Sequence, residues 1–308
     1  MSQRNFEGVI APVCTPFGED GTPDADRFID HADWLMENGC TGLAPFGTTS
    51  EANSLGLDER MELLEELVDA DIDPAKLMPG TGMCSVADAI TLTGHAVDIG
   101  VGGCLMLPPF YYKSPSEEGL YRYFAQVIDS VADDRLKVYL YHIPPIAQVG
   151  IPLGLIARLR KEYPETVVGL KDSSGDWSST KSILEANPTG FEVFVGSEAF
   201  LLDGLRSGAA GTISASANVN PGQLRKVFEN WQGADADKLQ AGIGGIRKVF
   251  QSYPMMPLLK AVIGHYRRDP AWSVLRPPLT ELSATDLAAA VKTLEAEHGF
   301  TMDIPADA

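Results

Sequence analysis

The stretch Val167-Val168-Gly169-Leu170-Lys171-Asp172-Ser173-Ser174 puts a lysine at the end of an otherwise apolar strand. Burying a lysine is costly unless its amine is neutral or paired. The position therefore suggests an amine that attacks a carbonyl carbon and forms a Schiff base. Taken alone, such a lysine more often snorkels to water along its aliphatic stem. Its company argues otherwise. Tyr141, in Tyr139-Leu140-Tyr141-His142-Ile143-Pro144, lies 30 residues before Lys171. That is one βα unit, so the two side chains are expected to project from neighbouring strands into one space. Strand alternation places Val167, Gly169 and Lys171 on one face and Val168 and Leu170 on the other.

The chemistry explains why these types belong together. A lysine attacks only as the free amine, and neutralising an ordinary one of pKa ~10.4 at pH 7 costs about 4–5 kcal/mol. Burial among Val167, Ile213 and Leu140 is expected to supply part of that cost. Dehydration of a carbinolamine and cleavage of a carbon–carbon bond then need a proton carrier, and a tyrosine hydroxyl linked to a threonine hydroxyl is one. Gly47-Thr48-Thr49-Ser50-Glu51 brings such threonines. Its backbone amides, expected at a helix start, suit a substrate carboxylate. The chemistry calls for no metal and no cofactor beyond the lysine itself.

The elements that must position these groups alternate. Apolar runs at 8–15, 41–47, 76–82, 103–108, 137–143, 167–172, 192–197 and 211–215 read as strands. Segments with three- and four-residue apolar spacing lie between them, such as 24–38, 57–70, 117–131 and 152–163. The repeat is close to the roughly 30 residues of one βα unit, and eight such units predict a (β/α)8 TIM barrel. A doubly wound sheet would carry a glycine-rich phosphate loop after its first strand, and GxGxxG is absent. After about residue 220 the pattern is helical only, at 238–251, 257–267 and 284–297. This predicts barrel and active site over 1–224 and an added helical layer over 225–308. In a barrel, catalytic side chains come from the C-terminal strand ends; here those ends include Gly47, Tyr141, Lys171 and Gly196-Ser197-Glu198.

Composition limits the alternatives. The 308 residues are 44% hydrophobic and 21% charged, ordinary for a soluble globular protein with a full core. The net charge of −18 argues against a nucleic-acid surface, which needs a basic face. No apolar run is long enough to span a membrane, and residues 1–7 lack a signal-like stretch. Cys14, Cys40, Cys84 and Cys104 show no CxxC spacing, so reduced thiols and a cytoplasmic location are expected rather than zinc or disulfides.

These motifs together resemble the dihydrodipicolinate synthase/N-acetylneuraminate lyase superfamily of pyruvate-dependent class I aldolases, over essentially the whole chain. The matching stretches are GTT-x-E at 47–51, YY-x-x-PS-x-EGLY at 111–121, Y-x-x-P at 141–144, GLKDSSGD at 169–176, GTISASANVNP at 211–221 and RPPL at 276–279. The resemblance implies Lys171 as Schiff-base former and Tyr141 as proton donor and acceptor. It implies Thr48 as the relay to Tyr141 and Thr49 as a ligand of the keto-acid carboxylate. Tyr112 matches a tyrosine that crosses a subunit interface, which implies a homodimer or homotetramer. Ile213 matches a residue lining the pyruvate pocket, and Gly47, Gly196 and Glu198 complete the expected substrate-binding set.

Some positions depart from the synthase pattern. Ile146 stands where those synthases usually carry an arginine that grips the second substrate's carboxylate, a strong charge-assisted pair. Arg122, Arg158 and Arg160, in expected helices, read as surface charges. His142 replaces the usual asparagine and faces away from Tyr141 by alternation; it reads as a structural histidine, with a substrate or loop contact as the alternative. Ser50 replaces a glycine, either narrowing the pocket or adjusting the turn. Glu198 occupies a position where sugar-acid lyases bind hydroxyls, its alternative being a carboxylate at a helix N-terminus. The expected activity is cleavage of a 2-keto-3-deoxy sugar acid, or a related 4-hydroxy-2-keto acid, to pyruvate and an aldehyde. Synthase, N-acetylneuraminate lyase and dehydratase or deaminase chemistry through the same imine are the nearest rivals, and a keto-acid-binding sensor is the non-enzymatic one.

Overall fold

The computed structural model describes residues 4–186 and 189–304. Seven strands pair in parallel: β1 (Gly8–Ala11), β2 (Gly42–Leu43), β3 (Cys104–Met106), β4 (Val138–His142), β5 (Val167–Asp172), β6 (Glu192–Val195) and β7 (Gly211–Ile213). Their order is β2-β1-β7-β6-β5-β4-β3. The strand expected at 76–82 forms a seam instead of a ladder, because Pro79 has no N–H to donate. Leu77 bridges Leu43 and Gly80 bridges Leu105. The Met78 amide donates to Leu43 (2.8 Å), that of Gly80 to Pro45 (2.8 Å) and that of Leu105 to Pro79 (2.9 Å), which closes the TIM barrel.

Helices α1 (Ala25–Glu37), α2 (Leu57–Asp69), α3 (Val86–Ile99), α4 (Glu117–Val131), α5 (Pro144–Ala147), α6 (Leu153–Glu162), α7 (Trp177–Ala186), α8 (Leu201–Arg206) and α9 (Pro221–Asn230) belong to the barrel units. Their starts are set by side-chain caps: Asp24, Ser85 and Ser116 accept the amides of Arg27, Asp88 and Gly119. α10 (Ala236–Gln251), α11 (Met255–Arg267) and α12 (Ala284–His298) pack on one another as the C-terminal layer. α9 straddles the boundary expected at 224 and packs on β1 and α8.

Two apolar cores result. The outer one joins strand faces such as Val9, Leu140 and Leu170 to the helices, and the inner one fills the barrel with Ile10, Ala44, Met78, Leu105, Tyr139, Tyr141, Phe194 and Ile213. Strict alternation along 167–171 fails at one point. Val138 pairs with Val167 but Tyr139 pairs with Gly169, so Val168 is the extra residue of a bulge. Val167 therefore packs outward with Leu170. Of the three neighbours expected to bury the Lys171 amine, Val167 and Leu140 lie in the outer core and Ile213 alone lies in the inner one.

Candidate active site

β4 and β5 put their C-terminal ends side by side, with Tyr141 opposite Lys171 and His142 opposite Asp172. Lys171 is 4% exposed, and its Nζ lies 4.3 Å from the centre of the Tyr141 ring. Among the described residues it makes no hydrogen bond and no ion pair. The Tyr141 hydroxyl lies 3.3 Å from Thr48 Oγ1, so the expected pair of hydroxyls is in place. An amine without a counter-ion beside a phenol with one hydroxyl partner is an arrangement that imine chemistry can use.

Thr48 and Thr49 are carried by a tight turn after β2. Ser50 is buried and its Oγ accepts the Gly47 amide (3.3 Å), while the Ser50 carbonyl accepts from Thr15 Oγ1 (2.8 Å). Ser50 therefore ties the turn together. The expected helix start is not there: a single 3₁₀ turn (Ala52–Ser54) follows, and α2 begins only at Leu57. The Gly47 amide is thus occupied, while those of Thr48 and Thr49 make no hydrogen bond among the described residues.

At β6, Gly196 is needed because a β-carbon would run into Ser173 Oγ and the Asp172 carbonyl. Its amide donates to Asp172 O (2.7 Å). Ile213, fully buried, ends β7 in the inner core. Glu198 heads a 3₁₀ turn (Glu198–Phe200) after β6, where its alternative reading put it. Its carboxylate is buried and takes hydrogen bonds from Ser214, Ser216 and Arg247, the last at 3.2 Å. In this arrangement it braces the ends of β6 and β7. Tyr112, with Tyr111, stands on the loop between β3 and α4; it is 80% exposed and makes no hydrogen bond among the described residues.

His142 behaves as the structural histidine. Its Nδ1 accepts the Ile151 amide (2.9 Å), which leaves the other nitrogen protonated. Burial pushes its pKa below the ordinary histidine range, with the Asp172 carboxylate working against the shift. Arg122 and Arg158 pair with Glu118 on the surface, and Arg160 lies over the Phe191 ring. Ile146, at the position of the absent arginine, is 60% exposed.

Three basic residues lie near the turn; Arg60 and Lys260 went unread in the sequence, and Arg276 entered only as part of the RPPL stretch. Arg60 of α2 is buried, donates to Gly80 O (2.6 Å) and Phe46 O (3.4 Å), and lines the small cavity shared by Thr48 and Tyr141. Desolvation pushes it down to about 10. Lys260 of α11 pairs with Glu51 at 2.9 Å, both fully buried. Arg276 follows α11 and binds Glu59, Gly21 O and Ser54 O. Lys260 carried the same signal as Lys171, a lysine inside an apolar run (Met255–Ile263).

Among the described residues no helix is long and apolar enough to cross a membrane, and no cluster of three or more His, Cys, Asp or Glu side chains is placed to hold a metal. The model of the Dihydrodipicolinate synthetase family matches residues 5–297. An uncharacterized DapA-like lyase from Chloroflexus aurantiacus is 34% identical over 284 residues, covering 92% of this chain and 94% of that protein. The crystal structure of dihydrodipicolinate synthase from Agrobacterium tumefaciens superposes with a TM-score of 0.87 at 31% identity, over 94% of this chain and 98% of that one. YagE, a prophage protein of the dihydrodipicolinic acid synthase family from E. coli K12, solved in complex with pyruvate, gives a TM-score of 0.88 at 28% identity, over 96% and 99%. The barrel, the strand-end lysine and tyrosine and these matches agree, and the chain belongs to the dihydrodipicolinate synthetase family of lyases.

Proposed function

We propose that Lys171 forms an imine with a 2-keto acid and that the enzyme cleaves a 2-keto-3-deoxy sugar acid, or a related 4-hydroxy-2-keto acid, to pyruvate and an aldehyde. The observation that carries the reading is the Lys171–Tyr141–Thr48 geometry: an amine without a counter-ion, 4.3 Å from the phenol ring, whose hydroxyl meets Thr48 at 3.3 Å. The amine attacks C2, and Tyr141 gives its proton to the carbinolamine hydroxyl, which leaves as water. The phenolate then takes the proton of the C4 hydroxyl. The C3–C4 bond breaks, its electrons pass to the imine nitrogen, and the aldehyde departs. Protonation of the enamine at C3 and addition of water release pyruvate and restore the amine. No separate cofactor takes part. Thr48 returns protons to Tyr141, and the amides of Thr48 and Thr49 hold the C1 carboxylate.

Borohydride treatment with pyruvate, followed by mass spectrometry, is expected to leave a reduced adduct on Lys171; unmodified lysine there would sink the reading. A panel of 2-keto-3-deoxy sugar acids is then expected to release pyruvate. The relatives named as synthases favour a second reading, condensation of pyruvate with aspartate semialdehyde. Ile146, exposed and uncharged, offers that substrate no guanidinium, so turnover with the semialdehyde is expected to be poor. The exposed Tyr112 ring fits a second copy of the chain, into whose site it reaches in this proposal; a monomer in solution would contradict it.

A further inference from the structure

Resting on that imine reading, we infer that Lys260, carried by the C-terminal helical layer, is a positioning residue for the Gly47–Glu51 turn and acts through Glu51. Lys260 Nζ donates to Glu51 Oε1 at 2.9 Å, and neither side chain has any exposed surface. The other carboxylate oxygen of Glu51 accepts the Arg276 amide at 3.2 Å, so both oxygens are held from the C-terminal side of the chain. The Phe17 ring packs on both cations, 4.4 Å from Lys260 Nζ and 4.9 Å from the Arg276 guanidinium, which walls the pair off from water.

Glu51 is where the turn needs holding. Its backbone is left-handed (φ 55°, ψ 34°), a conformation that a residue with a β-carbon adopts only when its surroundings impose it. It stands three residues after Thr48, and its amide donates to the Thr48 carbonyl at 3.2 Å. A change in the Glu51 tether therefore passes directly to the threonine that meets Tyr141. A buried ion pair is a poor source of net stability but fixes geometry closely, since removing one partner strands the other charge. Burial pulls the Lys260 pKa down and Glu51 opposes the shift, as a lysine held by one carboxylate requires.

The test reads exchange of the pyruvate methyl protons for deuterium by NMR, a half-reaction that needs the imine and the proton relay but no second substrate. The variants are Lys260→Met and the double variant Glu51→Gln/Lys260→Met, which removes both charges and guards against unfolding by a stranded carboxylate. In the double variant we expect the maximal exchange rate to fall about 10–100-fold, the reach of a misplaced proton relay. The pyruvate concentration at half-saturation stays within about threefold, and the thermal transition stays near that of the wild type. A folded double variant exchanging at the wild-type rate overturns the inference. So does a rate loss that merely tracks the loss of folded protein. A wild-type chain giving neither borohydride adduct nor exchange overturns the imine reading and this inference with it, whereas an adduct with unchanged exchange in the double variant overturns the inference alone.

Discussion

Tyr139 and Tyr141 share the inner face of β4, two residues apart, and the barrel treats them in opposite ways. The Tyr139 hydroxyl donates to Glu192 Oε2 at 2.5 Å, and the same carboxylate accepts the amides of Asn5 (2.6 Å) and Phe6 (3.1 Å). Its ring stands edge-on to Phe6 and Phe194. Burial and the adjoining Glu192 carboxylate hold this phenol far above the ordinary range, so it keeps its proton. Tyr141 has one hydroxyl partner, Thr48, and the Lys171 amine over its ring. The N-terminal end of the barrel is thus closed by a phenol whose bonds are complete, and the C-terminal end holds one with a single hydroxyl partner. The same residue type on the same face is fully or sparsely partnered, and the proposed chemistry falls to the sparsely partnered one.

The sharpest way to break that contrast is at the amine. Lys171→Ala is expected to abolish the borohydride adduct and lower pyruvate proton exchange by about 10⁴-fold or more, as expected when a covalent nucleophile is lost. An adduct surviving at another lysine would break the comparison outright. Next in size, Tyr141→Phe should cut exchange about 10²–10³-fold with the fold intact, whereas Tyr139→Phe should leave exchange within a few-fold. Equal rate losses in the two variants would erase the distinction.

The fold's own response to acid has to be separated from that of the site. His31 is buried, and desolvation pushes it down to about 3, helped by Arg267 and opposed by its hydrogen bond to Asn218. The unfolded chain binds a proton near the ordinary value of ~6.5 that the folded chain refuses, so stability falls as pH drops from there towards 3. About 2–3 kcal/mol should be lost between pH 7 and 4.5, measured by denaturant unfolding. His31→Asn should flatten that slope; an unchanged slope would assign the loss to other groups.

The smallest effects test the closed end. A β-carbon at Gly169 would collide with the Tyr139 ring and the Glu192 carbonyl, so Gly169→Ala should destabilise by about 1–3 kcal/mol. Tyr139→Phe should cost about 1–2 kcal/mol, by leaving one Glu192 oxygen short of a donor. Thermal and denaturant unfolding read both, and a neutral Gly169→Ala would show that the ring can move aside.

Much of this was legible because it is local. Lys171, Tyr141 and the threonines stand at strand ends whose spacing shows in the chain, and the GTT-x-E and GLKDSSGD stretches carry the family. What escaped notice depends on distance or on exceptions to periodicity. The Glu51–Lys260 pair joins residues 209 positions apart, which no window reveals. The bulge at Val168 depends on which residue of β4 faces it, so alternation alone misplaced Val167. Helix α3, with Thr91, Thr93 and Gly94 in its middle, presents a diluted apolar stripe. Glu198 showed its type but not that two serines and Arg247 already occupy it.

Pro79 has a mechanical consequence. A hoop of staves is as tight as its loosest joint, and the stave between β2 and β3 lacks one rung. Thermal breathing favours joints with few backbone bonds, so this joint is expected to open readily and the loop leading out of β2 to loosen with it. Beyond β3, the continuous β4–β5–β6 ladder is expected to stay shut. A partly opened molecule would keep Lys171 in place while Thr48 wandered, and under the proposed function would lose turnover before it lost shape.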